Sequence, residues 1–119
     1  MPDFITRRRV LGGLAAVAGG VQAAAPLPLF DAHVHYSHDA VERVPPAQAV
    51  AILRAAGLKG VLVSSSDDEG TQKLLAAAPE LIVPELRPYR SRADTSTWVR
   101  DEGIVHYLEQ RLARHRYVG

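Results

Sequence analysis

The heptapeptide Leu29-Phe30-Asp31-Ala32-His33-Val34-His35 predicts a first β-strand and carries the clearest chemical pattern of the chain. Residues two apart on a strand point to the same side, so we expect Asp31, His33 and His35 to project together. Two imidazoles on a rigid strand can bind a divalent cation, and imidazole favours zinc, iron, nickel or copper over magnesium or calcium. A pair of strand-end histidines without any ligand is the plainer alternative.

Beyond this strand, short apolar runs alternate with segments of helical period. Residues 61–63 and 81–83 are apolar runs that predict two more strands. Pro46 suits a first helical turn and Gly57 the position after a helix end, and Asp67 or Asp68 can begin a further helix that ends before residue 79. This alternation predicts an α/β fold with a parallel sheet, covered on both faces or forming the wall of a barrel.

The last third of the chain predicts one or two helices followed by the start of a fourth strand at residues 117–119. Ile104, Leu108 and Leu112 are four residues apart and form the apolar face of a helix, with its charged side chains in solvent. Those charged positions are Glu109, Arg111 and Arg114.

Residues 1–25 have the composition of a secretory leader. Arg7, Arg8 and Arg9 precede a weakly apolar run over residues 10–21, and small residues close the segment at 23–25. Paired arginines after a threonine resemble the twin-arginine class, which predicts export of a folded protein to the periplasm or beyond, with the twin-arginine translocase as a partner. A membrane anchor would need about 20 strongly apolar residues, and four glycines interrupt this shorter run.

The remaining residues, 26–119, form the domain on which function depends. Their charge is close to neutral once the arginines of the leader are set aside, which disfavours a nucleic-acid partner. The chain has no cysteine, so disulfides and thiolate metal sites are excluded. Histidine and carboxylate are therefore the side chains expected to hold any metal.

The stretch Phe30-Asp31-Ala32-His33-Val34-His35 resembles the first-strand motif of the amidohydrolase superfamily, specifically its amidohydrolase-2 group, and the similarity runs in order through residues 29–119. The resemblance implies a (β/α)8 barrel in which His33 and His35 ligate a catalytic divalent metal, with zinc the expected ion. Asp31 matches the acidic position of the motif and is expected to support the site through hydrogen bonds.

The resemblance also implies that this sequence holds only part of the catalytic set. The family's other ligands and acid–base groups lie on later strands, and a full barrel takes about 250 residues. We therefore expect the first three to four βα units of a barrel, and no measurable hydrolase activity from residues 26–119 alone.

Two groups of polar residues follow the predicted second and third strands. Arg87 and Arg90 could bind a carboxylate of a small-molecule substrate, or could equally form structural salt bridges. Residues 64–66 are serines that could contact substrate or cap the next helix, while His38 is expected in a loop.

The function expected from the resemblance is metal-dependent hydrolysis of a small amide, ester or lactone. A metal-dependent decarboxylase of the same fold is an alternative, because fold does not choose between them. Two further alternatives are a phosphoesterase of the histidinol-phosphatase type, whose first strand is similar, and a non-catalytic exported metal-binding remnant.

Overall fold

The computed structural model describes residues 25–119, in which strands and helices alternate along the chain. The leader predicted at residues 1–25 lies, except for its last residue, outside the described residues. The strands are β1 (Leu29–His35), β2 (Leu58–Ser64) and β3 (Ile82–Pro84). The helices are α1 (His38–Arg43), α2 (Pro46–Ala55), α3 (Glu69–Ala77) and α4 (Ile104–Arg114), with 3-10 turns at Arg92–Ser96 and Trp98–Arg100. Within residues 25–119, every helix is too short or too polar to cross a membrane.

The three strands form one parallel sheet in the order β1-β2-β3. Central β2 is the best-covered strand, and its Val61 and Val63 are fully buried. On the outer strand β1, by contrast, Leu29 and Phe30 remain 54% and 57% exposed. The prediction of an α/β chain with a parallel sheet is confirmed. The helices cover the face of β2 that carries Val61 and Val63, whereas Leu62 between them is half-buried. Strand β1 has a neighbour on one side only among the described residues.

The core lies between the sheet and the helices α2 and α3. Its members are apolar side chains that lie on the strands and the two helices or directly beside them, namely Tyr36, Val50, Val61, Val63, Leu74, Ala78, Leu81 and Ile82. Removing such side chains from water supplies most of the stabilisation of a domain. Because none of these buried residues lies on β1 itself, the core holds β2 and β3 more firmly than it holds β1.

Proline and glycine delimit α2 as the sequence predicts. Pro46 occupies the first turn, where its missing N–H has no helical partner to lose, and Gly57 adopts a φ of 78° directly after the helix. Gly70, at the start of α3, is needed for a different reason: a Cβ there would lie 1.8 Å from the carbonyl oxygen of Tyr36. The start of α3 therefore packs directly on the backbone that follows β1.

The prediction that His38 lies in a loop is wrong, since residues 38–43 form the short helix α1. The phenol of Tyr36, which is 4% exposed, donates a 2.6 Å hydrogen bond to the carbonyl of Val44 and so ties the end of α1 to the core. A helix of six residues is too short to show a helical period in the sequence.

The segment after α4 runs beside the end of β3. Val118 donates its backbone N–H to Pro84 at 3.0 Å, and Leu86 donates to Gly119 at 2.8 Å. The residues predicted as a fourth strand therefore pair with the end of β3 through two backbone hydrogen bonds and do not form a regular ladder. The apolar face predicted for α4 is covered only in part, because Ile104 and Leu108 are half-buried whereas Leu112 and the adjacent Val105 remain 59% and 62% exposed.

Candidate functional site

His33 and His35 lie side by side near the carboxyl end of β1. Their ring centroids are 4.5 Å apart in an edge-to-face arrangement. The pairing of β1 with β2 is irregular here, because three steps along β1 from Asp31 to Val34 match two steps along β2. One extra residue in β1 is thus accommodated at the histidines, and such irregularities commonly re-aim side chains near functional sites.

Asp31 acts on the backbone of this irregular stretch. Its Oδ1 accepts the backbone N–H of His33 at 3.0 Å. A bulge removes an N–H from the ladder, and an aspartate two residues earlier is well suited to satisfy it. Asp31 therefore hydrogen-bonds to the main chain of His33, and its supporting role in a metal site stays a prediction.

Both ring nitrogens of His35 have partners from neighbouring strand ends. Nδ1 lies 3.1 Å from the hydroxyl of Ser64, and Nε2 lies 2.9 Å from a guanidinium nitrogen of Arg87. Because arginine can only donate, Nε2 must accept, and the proton of the neutral ring then lies on Nδ1 and is donated to Ser64. Burial lowers the pKa of His35, and the charges of Arg87 and His33 lower it further.

The three serines after β2 have separate roles. Ser64 contacts His35, whereas Ser65 accepts the backbone N–H of Thr71 at 3.0 Å and so caps the first turn of α3. The backbone N–H of Ser66 donates to the hydroxyl of Ser37 at 3.2 Å, which joins the segment after β1 to the segment after β2. Of the two roles that the sequence left open, helix capping is the one that Ser65 performs.

Arg87 and Arg90 differ in their surroundings. The side chain of Arg90 forms an ion pair with Asp101, which also accepts the backbone N–H of Gly103 at 2.9 Å. Arg87 instead contacts His35, and its guanidinium carbon lies 5.2 Å from the ring centre of Tyr89. Of the two, only Arg87 is therefore placed beside the histidine pair.

Two histidines are the described side chains that the sequence predicts as metal ligands. Within residues 25–119, no group of three or more histidine, cysteine, aspartate or glutamate side chains is arranged to hold a metal ion. With the proton on Nδ1, Nε2 is the ring nitrogen of His35 that carries a lone pair, and Arg87 donates to it in this structure, so a metal would have to displace Arg87. A hydrogen bond from the other ring nitrogen, here to Ser64, is common among histidine ligands. Two imidazoles nevertheless fall short of the three protein ligands usual for catalytic zinc.

The sequence did not predict a buried network around Asp68. Asp68 is 1% exposed and has a φ of 65°, and its carboxylate accepts hydrogen bonds from Arg111 and Tyr117. The Nε of Arg111 lies 2.8 Å from this carboxylate, and its side chain is only 13% exposed. The prediction that Arg111 lies in solvent is therefore wrong, because the buried carboxylate of Asp68 attracts it.

Asp68 also departs from the role expected of it. It precedes α3, as the sequence predicts, but its side chain makes no capping hydrogen bond. The left-handed backbone conformation, which aspartate tolerates better than most residues, turns the carboxylate toward α4 instead. In the sequence, the one indication of the left-handed conformation at Asp68 is its position as a short polar residue between a strand and a helix.

Comparisons with known proteins do not identify the chain. No protein-family model matches it, and no curated protein or solved structure matches it at a significant level. What the structure defines is an α/β chain with a three-stranded parallel sheet and a histidine pair at the end of its outer strand.

Proposed function

We propose that this chain forms the first βα units of an exported metal-dependent hydrolase of the amidohydrolase type, built on a (β/α)8 barrel. The main support is the position of the adjoining His33 and His35 rings at the carboxyl end of β1. Ser64 at the end of β2 and Arg87 just after β3 converge on the same place. Active sites of parallel α/β barrels lie at this edge of the sheet.

In this proposal His33 and His35 hold a divalent metal, with zinc the expected ion. Ser64 holds the ring of His35 in one tautomer, and Asp31 holds the backbone of His33. When bound, such a metal polarises a carbonyl group and lowers the pKa of a bound water to about 7. The remaining ligands and the groups that move protons lie outside the described residues in this proposal. The substrate is a small amide, ester or lactone.

The proposal includes export by the twin-arginine route. The arginines at positions 7–9 and the weakly apolar run that follows support it. The mature protein then acts in the periplasm or outside the cell, after the translocase has carried it across the membrane in a folded state. Fusing residues 1–25 to a reporter protein tests this step, because Arg7→Lys together with Arg8→Lys should abolish export of the reporter.

Zinc titration of the full chain by calorimetry tests the metal site. We expect one zinc ion per chain, with binding lost in His35→Ala and in His33→Ala. Ser64→Ala should weaken binding by about 10–100-fold, because it removes the group that orients the ring of His35. His106→Ala is the matched control, since this exposed histidine lies on α4 and its ring is hydrogen-bonded to Gln110 of the same helix.

The titration has a clear contrary result. Zinc binding that is unchanged in both His33→Ala and His35→Ala would show that the pair is not the site, and the hydrolase proposal would then lose its main support. Loss of binding in His106→Ala to the same extent would lead to the same conclusion.

A decarboxylase of the same fold is the second candidate, and one observation favours it. The guanidinium of Arg87 lies against His35, where it could hold a carboxylate beside the metal. Carbon dioxide release from an aromatic carboxylate, measured next to amide hydrolysis on a zinc-loaded protein in which this chain is continued by the later strands of the barrel, separates the two activities.

A further inference from the structure

Arg87 is a cation that forms no ion pair within the described residues, although the carboxylate of Glu85 lies near enough to act on His35. It donates to Nε2 of His35, which must be neutral to accept, and it lies over the ring of Tyr89. Among residues 25–119, the ion pairs within 4.0 Å involve Arg54, Arg90, Arg92 and Arg111, and none involves Arg87. Its charge is therefore available to an anion that comes from outside.

The guanidinium is also held in place. Tyr89 is 7% exposed, so its ring is fixed by packing and offers a rigid face to the cation above it. An arginine has five N–H donors in a planar fork, and the contact with His35 uses one nitrogen. The remaining donors suit the two oxygens of a carboxylate, which arginine binds in parallel.

We propose that Arg87, and not Arg90, binds a carboxylate group of the substrate beside the histidine pair. Arg90 is unsuitable because its ion pair with Asp101 already neutralises its charge, and Asp101 is itself held by the N–H of Gly103. That the anion is a substrate rests on the proposed function, whereas the anion site itself depends on Arg87 alone and does not require a metal.

The same geometry couples the anion site to the metal site. Nε2 of His35 has one lone pair, which Arg87 uses in this structure. A metal bound through Nε2 must therefore replace Arg87 on that nitrogen, and this frees a further donor of the guanidinium for the carboxylate. When Arg87 turns to a carboxylate, the lone pair of Nε2 becomes free for a metal; when a metal takes Nε2, the displaced donor of Arg87 becomes free for a carboxylate. Binding of either one should therefore favour binding of the other.

The test is an NMR titration of the full, isotope-labelled chain with benzoate in the presence of a chelator, with benzamide as the neutral probe of the same shape. We expect saturable binding of benzoate, with shifts at Arg87, His35 and Tyr89, and none of benzamide. Arg87→Gln should weaken benzoate binding roughly tenfold or more, the factor of one charge-assisted hydrogen bond. Arg90→Gln should bind as the parent does.

Arg87→Lys provides a second variant because it keeps the charge and loses the fork. It should bind benzoate more weakly than the parent and more tightly than Arg87→Gln. Equal binding of benzoate and benzamide, or equal losses in Arg87→Gln and Arg90→Gln, would overturn the inference. Since the chelator removes metal, a failure here leaves the zinc titration of the histidine pair untouched, and a failure of that titration leaves this result standing.

Discussion

Asp68→Asn removes one buried negative charge while leaving the size of the side chain and its backbone conformation nearly unchanged. Asparagine tolerates the left-handed conformation at a φ of 65° about as well as aspartate does, so the substitution adds little backbone strain. What it does remove is the charge opposite Arg111, whose side chain is 13% exposed. Arg111 is then left as an enclosed cation without its principal partner.

The size of the effect follows from the burial of the pair. Removing one partner of a buried ion pair costs about 3–5 kcal/mol of folding free energy. Arg111 retains a second contact, because its Nη1 lies 3.3 Å from Glu69, a residue whose side chain is 59% exposed. That exposed carboxylate can compensate only in part, so we expect a loss near the lower limit, about 3 kcal/mol.

Urea unfolding of the full chain, followed by circular dichroism, measures this loss. The control is Glu80→Gln, which breaks the ion pair between Glu80 and Arg54 at the protein surface, where the side chains are 62% and 58% exposed. Exposed pairs commonly contribute nothing measurable, so the control should unfold as the parent does. Equal losses of stability in the two variants, or a loss below about 1 kcal/mol in Asp68→Asn, would refute the reasoning.

Two further outcomes follow from the same region. Burial and the hydrogen bond to Asp68 raise the pKa of Tyr117 to about 12. The folded chain therefore keeps a proton that the unfolded chain releases. The contribution of Tyr117 to the free energy of unfolding is thus complete below about pH 10 and is lost between about pH 10 and 12. The absorbance at 295 nm should show a component near pH 12 that Tyr117→Phe removes, and a parent titration without it would contradict the assignment. Gly70→Ala should lower the urea midpoint far more than Gly60→Ala, because the new Cβ at 70 meets the backbone of Tyr36 at 1.8 Å, whereas at 60 it meets only an exposed ring that can turn aside; similar midpoints would argue against the contact.

Local patterns predict the sheet and α2 well because their causes are local. The apolar runs at residues 61–63 and 81–83 are long enough to predict buried strands, and Pro46 and Gly57 determine where α2 begins and ends. The same reasoning identifies the histidine pair, since a spacing of two on a strand brings side chains together without reference to the rest of the chain.

The errors in prediction concern contacts between distant parts of the chain. A charged residue on a helix is normally expected in solvent, and Arg111 is enclosed only because a carboxylate 43 residues earlier lies against it. In the same way, the difference between Arg87 and Arg90 depends on Asp101, which no spacing within the Arg87–Arg90 segment reveals. Pairings of this kind require the tertiary structure.

The network around Asp68 has a consequence for the timing of folding. Its carboxylate depends on partners 43 and 49 residues later in the chain, Arg111 and Tyr117. At a synthesis rate of about 5–20 residues per second, roughly 2–10 s pass between the addition of Asp68 and that of Tyr117. Throughout that interval the carboxylate stays hydrated and the start of α3 lacks its link to α4. The newly made chain can therefore reach its final packing only after Tyr117 has left the ribosome.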